Sequence, residues 1–478
     1  MHIPRVKRAL PVLFMFFAVI VFSGTTGAQE LSDEFTYEEF LAHVKKYHPI
    51  VRQANLVLSE SQAKLLKARG AFDPKLEADF SKKNYDDKTY YSLFNGSFKI
   101  PTWYGIEIKA AFDKNEGVYM NPENYVPQDG LTSFGITVPV GQGLWINDRM
   151  AELRKGKLYV ELSNYERTLA TVEAIAEASE AYMNWKKDYE KVLLYEDFYQ
   201  NAVERQEWIV KSIVLGELPP IDSVESGIVL KTRKLEWEQA LLKLTKSRLT
   251  LSNYLWTEDN IPLELSEDMV PEEDLENRIL DVLAIDPLAG ETDLENHPKI
   301  NALYTKLNIL EVDRKLKANS MLPKLSLSYN YISEPSYIDG FRMEDYKIGA
   351  TFSFPIFLRK ERAEVKLADI KLRSSELGLQ FEKEALRNKI RAQYNELNSY
   401  QRQIVINEDL VGDYRQMLEG EVKLFEMGES SIFYINTREN NLVKARVSDI
   451  DLKNTYFLVA IGLYKILAMP EEEFLRQP

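Results

Sequence analysis

Four histidines, His2, His43, His48 and His297, are the only imidazoles in a chain of 478 residues that contains no cysteine. Acid–base chemistry or zinc binding would need such residues at fixed spacing with carboxylates, as in an HExxH helix. They are not so spaced. His48 and His297 each precede a proline at corresponding places in two similar stretches, which marks them as structural, and His43 stands alone. No GxSxG turn and no P-loop occurs. Carboxylates are abundant but scatter over helix-like stretches, where solvation is their default state. A hydrolase of cell-envelope polymers would need a convergent carboxylate pair or metal cluster, and none is legible. The expectation is therefore no catalytic residue, no cofactor, no metal and no enzyme.

The bulk composition narrows the class. Hydrophobic residues make up 45% and charged residues 28%, so the chain can bury a core and is not disordered. The net charge is −14, which argues against nucleic acid, because phosphate contacts need Lys and Arg. Residues 1–28 carry Arg5, Lys7 and Arg8, an apolar run from Ala9 to Phe22, and the small residues Thr26-Gly27-Ala28. That pattern predicts a secretory signal peptide cut after Ala28. Without cysteine, an exported chain has neither disulfides nor a lipid-modified N-terminus. No later stretch is apolar for long enough to be a membrane helix.

The remainder reads as a duplication. "YHPIVRQANLVLSESQAKLLKARGAFDPKLEADF" (47–80) aligns without a gap on "NHPKINALYTKLNILEVDRKLKANSMLPKLSLSY" (296–329), at an offset of 249. Further along the offset is 212, which pairs Gly216-Glu217 with Gly428-Glu429, so the first copy is longer by 37 residues. Each copy predicts a helix (about 36–70 and 295–320), alternating strands, a very long helix (about 147–213 and 359–426), a glycine interruption, and a returning helix (about 222–256 and 434–468). The repeats span about 36–256 and 295–468, within one expected domain, 29–478.

Two periodicities say what these segments pack against. Ile390, Leu397, Ile404, Val411, Leu418 and Phe425 recur every seven residues, a coiled-coil seam on a helix that would run ~100 Å. At the offset of 212 the first copy offers Ala178, Trp185, Val192, Tyr199, Gln206 and Ile213, apolar but for Gln206. The strands alternate strictly. In "DYKIGATFSF", Tyr346, Ile348, Ala350, Phe352 and Phe354 oppose Lys347, Gly349, Thr351 and Ser353. Such strands suit a barrel with lipid outside and a polar lumen inside, and fit a soluble sandwich as well.

Together these features resemble the TolC-type outer-membrane efflux proteins over nearly the whole chain after residue 28. The resemblance rests on "HP" at 48–49 and 297–298, where the family usually has Asn-Pro, and on "FDPKLEADF" and "MLPKLSLSY". It rests also on "TVPVGQG" and "SFPIF", and on "LGELPPID" and "EMGESSIFYI". It implies a mixed membrane fold: long coiled-coil helices building a periplasmic α-barrel, and strands contributing to a β-barrel shared by a homotrimer in outer-membrane lipid. Pro74, Pro139, Pro323 and Pro355 would mark the strand–helix transitions. The implied role is the exit duct of a tripartite efflux or type I secretion system, passive, docked to a periplasmic adaptor (membrane fusion) protein and an inner-membrane transporter. A periplasmic coiled-coil scaffold without a channel is the alternative, and it would leave the strands unexplained.

The resemblance also assigns the interruptions. Gly216 and Gly428 would turn helices back at the periplasmic tips, with Leu215, Gly216, Glu217, Leu218, Gly428, Glu429 and Ile432 as the adaptor-docking surface. Asp222, Glu225 and Tyr434 are candidates for the aperture, with N-terminal capping and first-turn charge as the plainer role of the two acids. The family's acidic ring and salt-bridge lock are not expected in full, because the second copy has Tyr434 and Thr437 where acids would fall. The extra 37 residues predict an added hairpin. Segments at about 76–83, 90–100, 105–112 and 131–138 alternate, as do 324–332 and 345–354, giving six strands per chain and eighteen in a trimer. The competing expectation is an extracellular flap over 84–130 and a barrel of twelve strands.

Overall fold

The computed structural model describes residues 34–285, 294–337 and 342–468. The expected signal peptide, 1–28, lies outside the described residues. Where one helix was expected over 36–70, two occur: α1 (Tyr37–Tyr47) and α2 (Pro49–Arg69). Pro49 cannot donate into α1 and holds His48 in an extended conformation, φ −66° and ψ 131°, so the helix breaks and restarts there. Thr36 begins α1 with a capping box, its hydroxyl accepting from the Glu39 amide while the Glu39 carboxylate accepts from the Thr36 amide.

The two long helices are α3 (Asp148–Val214), 67 residues, and α7 (Arg359–Glu426), 68 residues. Each is followed by a returning helix, α4 (Ile221–Ser252) and α8 (Ile432–Leu467). After the short helix α5 (Ile279–Val282), the second repeat begins with α6 (Pro298–Asn319), the counterpart of α2. Next to the sheet the helices lie in the order α2-α3-α6-α7, and towards the glycine turns in the order α4-α3-α8-α7. The short helices stack end to end. His297, at the start of α6, meets the Ile466 carbonyl near the end of α8 at 2.8 Å. His48, at the start of α2, is hydrogen-bonded to the backbone of Asn253 just after α4. The chain is thus four helices wide along its whole helical length.

The main core lies at those junctions, around Tyr37, Phe40, Tyr182, Trp185, Ile390, Leu397 and Tyr464. A short parallel pair, β1 (Glu34–Phe35) and β6 (Val270–Pro271), closes over it. Lys186 holds the following residues, donating to the carbonyls of Glu272 and Glu273 at 2.8 and 3.0 Å. Gln206, the polar member of the first heptad row, is satisfied by Ser226 and the Ser223 carbonyl of α4. No helix among the described residues is long and apolar enough to cross a membrane.

The other six strands form one antiparallel sheet. They are β2 (Lys75–Tyr85), β3 (Lys88–Pro101), β4 (Glu107–Glu116), β5 (Leu131–Gly141), β7 (Lys324–Ser333) and β8 (Tyr346–Ser353). Their order is β2-β3-β4-β5-β7-β8, so β2 and β8 are open edges. The predicted extra hairpin, β3–β4, is inserted in the sheet and paired on both sides, its register against β2 shifting only at a bulge between Lys83 and Asn84, which sets aside the flap over 84–130. Pro139 needs correcting as a transition residue, because it lies inside β5 opposite Ser326. β4 ends opposite Thr137, so the proline's missing N–H faces no strand on that flank. Pro74 and Pro323 directly precede β2 and β7, and Pro355 falls between β8 and α7.

The His297 junction yields a test. Its Nδ1 accepts from the Lys299 amide at 3.1 Å, so Nε2 carries the proton and donates to Ile466. Burial holds the pKa of both His297 and His48 below the ordinary 6.5. The unfolded chain takes up these protons below about pH 6.5 and the folded chain only at lower pH, so this stability is complete above pH 6.5 and is lost as pH falls. The H48N/H297N double variant should lose less thermal stability between pH 7 and pH 5 than the wild type. An equal loss in both would show that these histidines do not couple folding to pH.

Candidate functional site

The two glycine turns are built alike. Val214 ends α3, and the Gly216 amide bonds the Ile213 carbonyl at 3.0 Å while the Glu217 amide bonds the Ser212 carbonyl at 2.9 Å. After α7, the Gly428 amide bonds the Phe425 carbonyl and the Glu429 amide bonds the Leu424 carbonyl, both at 2.9 Å. Both are Schellman turns, which need a left-handed residue, and the glycine φ values are +81° and +79°. The space beside each glycine is open. Leu215 and Glu217 are exposed and Leu218 is half-buried, while Gly428 and Glu429 are exposed. Ile432 requires a correction, since as the first residue of α8 it is buried and Phe433 and Tyr434 present themselves instead.

The aperture candidates separate. Asp222 is not a cap, because Pro220 occupies that position without a side-chain bond; Asp222 supplies only first-turn charge. Glu225 is turned inward and accepts from the Asn436 amide group at 3.1 Å. Tyr434 stays at the surface, edge-on to Phe433.

Behind these residues lies a charge network that the sequence reading missed. Glu439 of α8 is 1% exposed and pairs with Arg205 of α3 and, at 3.4 Å, with Arg233 of α4, itself 2% exposed. Arg233 also donates to Asn440 at 2.5 Å and Glu236 at 2.9 Å, and Arg205 donates to Asn436 at 3.2 Å. Three helices are joined through one carboxylate. The cluster lies further from the turn than the expected lock positions. Beside it, Glu421 accepts from Ser430 at 2.5 Å and Arg438 at 3.3 Å, and these bonds hold its carboxyl below the usual range. Only the sequence separations, over 200 residues, hid this cluster; the residue types gave no period to follow.

A second unrecognised feature was legible. On α4, Ile221, Ile228, Leu235, Leu242 and Leu249 recur every seven residues, and all five are exposed. On α7, Leu410, Met417 and Leu424 do the same, and Leu367, Ile370, Leu377 and Phe381 are exposed nearer the sheet. α4 and α7 are the two outer helices of the layer, so each free flank carries an unburied apolar seam.

The sheet shows the same openness. Leu76, Phe98, Ala110, Phe134, Tyr331 and Tyr346 form one unbroken cross-strand row, and Ile100, Ile108, Ile136, Tyr329 and Ile348 the next on that face. Most of these side chains are exposed. The β3–β4 turn rests on the helical end. Trp103 stacks on Phe72 at 5.8 Å, its carbonyl accepts from Asn147 at 3.2 Å, and Arg149 pairs with Glu107 at 2.7 Å. The connections on the opposite side are longer, apart from the tight Tyr85–Lys88 turn.

Comparison with known proteins agrees with this geometry. Residues 291–468 match the family model "Outer membrane efflux protein". No curated protein sequence matches significantly. Among solved structures, the Campylobacter jejuni CmeC outer membrane channel is similar at 15% identity and a TM-score of 0.63, covering 90% of this chain and 85% of that one. A Pseudomonas aeruginosa membrane protein gives 14% identity and 0.67, covering 90% and 92%. The Vibrio cholerae outer membrane protein VceC gives 12% identity and 0.63, covering 90% and 95%. The chain carries an outer membrane efflux protein domain in its second repeat and, across its described length, the fold of the TolC-type channels.

Proposed function

We propose that the protein is an outer-membrane exit duct of a tripartite efflux or type I secretion system. Three copies close side by side into one tube, passively conducting what a periplasmic adaptor and an inner-membrane transporter deliver. In this reading residues 1–28 are a signal peptide removed on export, and 29–478 form a single domain of two repeats with no enzymatic role. The sheet sits in the outer membrane of a Gram-negative-type envelope, apolar rows to lipid, and the helices cross the periplasm. The glycine turns, with Leu215, Glu217, Leu218 and Glu429, meet the adaptor, and Asp222 and Tyr434 border the narrow end.

One observation carries the proposal: sheet and helical layer are open on the same two flanks and have the same width. Strands about 4.8 Å apart and tilted about 40° each take roughly 6 Å of circumference, so six take about 37 Å. Four helices at about 9–10 Å apiece take about 36–40 Å. Four strands would cover only about 25 Å. The β3–β4 hairpin therefore brings the barrel to the calibre of the tunnel. Closure pairs β8 of one copy with β2 of the next in antiparallel sense and buries the α4 seam against α7. Purified protein should migrate as a heat-modifiable oligomer and open aqueous channels in planar bilayers; a monomer without conductance would refute the duct.

The topology has its own test. A cysteine at Thr102 should resist membrane-impermeant maleimide on intact cells and react once the outer membrane is permeabilised. Labelling on intact cells would place the β3–β4 turn outside and contradict the orientation.

A further inference from the structure

The polar face of the sheet carries one row unlike the others. Lys75, Lys99, Lys109, Gly135, Asn330 and Lys347 are register partners across β2, β3, β4, β5, β7 and β8. Four of the six positions are lysine, in a chain whose net charge is −14. Lys75, Lys99 and Lys109 stand on three successive strands. Like charges directly opposite each other destabilise a sheet, so folding alone does not account for the row.

Its neighbours match that charge only in part, with Glu77 acting on Lys75 and Lys109 as well as on Lys99. Glu77 pairs with Lys99 at 2.5 Å. Among the described residues no carboxylate lies within salt-bridge distance of Lys75, Lys109 or Lys347, and Glu107, in the next row, is taken by Arg149. Asp79 and Asp113 lie four residues further out along β2 and β4, about 13 Å at strand rise, though Asp113 still feels Lys109 and Lys347. Gly135 and Asn330 fill the row's uncharged gap. A Cβ at Gly135 would stand 1.9 Å from the Asn330 side-chain oxygen, so the Asn330 amide lies across the glycine towards Lys109.

We propose that Lys75, Lys99 and Lys109 of each copy form an anion-attracting collar in the barrel lumen, just inside its periplasmic end, which draws multivalent anionic solutes into the exit. The inference rests on the duct reading, because only closure of the sheet with its apolar rows to lipid turns the lysines inward. Rings of lysine or arginine are the established physical means of favouring anions in a pore. Each copy supplies these three lysines on neighbouring strands near the helical end of the sheet, whereas the row climbs with the strand tilt to Lys347, the second residue of β8, at the far end.

The test uses the full-length oligomer in planar bilayers at 0.1 M KCl, with inorganic pyrophosphate added on the barrel side. Wild-type current should be reduced by pyrophosphate, and less so at 1 M KCl, where screening shortens to about 3 Å. The variant with Lys75, Lys99 and Lys109 all changed to Gln should need about tenfold more pyrophosphate for the same block, while the matching Lys→Arg variant keeps it. If the triple Gln variant does not assemble, the pair Lys75→Gln and Lys109→Gln is measured, with a smaller shift expected. Channels that pyrophosphate does not block, or blocks equally in wild type and Gln variants, overturn the collar. Absence of any channel in the wild type overturns the duct reading beneath it.

Discussion

Glu439→Ala should be the most destabilising single substitution in the half of the molecule that ends in the glycine turns. It leaves Arg205 and Arg233, on two different helices, without the buried carboxylate that neutralises both. Breaking a buried ion pair from one side costs about 3–5 kcal/mol, because the remaining charge stays desolvated. The loss should be local. Hydrogen exchange should quicken in α8 from Ile432 to about Lys444 and in the facing turns of α3 and α4, while β2–β8 stay protected. Glu439→Gln keeps the shape but not the charge and should show most of the same effect. Wild-type exchange in both variants would mean that the neutral partners, Asn436 and Asn440, hold the helices unaided.

The largest functional effect is expected from replacing both turn glycines, Gly216→Val with Gly428→Val. A β-branched residue at φ near +80° is strained by about 1–2 kcal/mol per site, and the surrounding space is open, so the fold survives. What changes is the direction in which Leu215, Glu217 and Glu429 leave the turn. The oligomer should form and conduct in bilayers, yet no longer copurify with the periplasmic adaptor proposed for it, and export in cells should stop. Normal copurification and export would remove the turns from the docking surface.

The sequence exposed this architecture unevenly, for physical reasons. Heptad spacing in α7 and strict alternation in β8 are local signals, and both the long helices and all six strands fell within a few residues of their expected limits. The His48-Pro49 break was equally local but was overridden by the apolar pattern running through it. The exposed row Ile221 to Leu249 has the same period as the recognised seam. It went unread because a single chain offers it no partner. The Arg205–Glu439–Arg233 cluster and the lysine row are different. Each joins residues that only the paired register or the folded bundle brings together, and neither has a period along the chain. Pro139 misled because proline ordinarily ends a strand, whereas here β5 outlasts its neighbour β4 and tolerates it.

The central claim is that six strands of each copy close with those of two others into one barrel as wide as the helical tunnel below it. Electron cryomicroscopy of the purified oligomer in lipid nanodiscs tests it most directly, by counting strands and helices around the axis. The account predicts eighteen strands above twelve helices, with β8 of each copy hydrogen-bonded to β2 of the next. A barrel of twelve strands with the β3–β4 hairpin outside the wall, or copies whose sheets do not join, would contradict it.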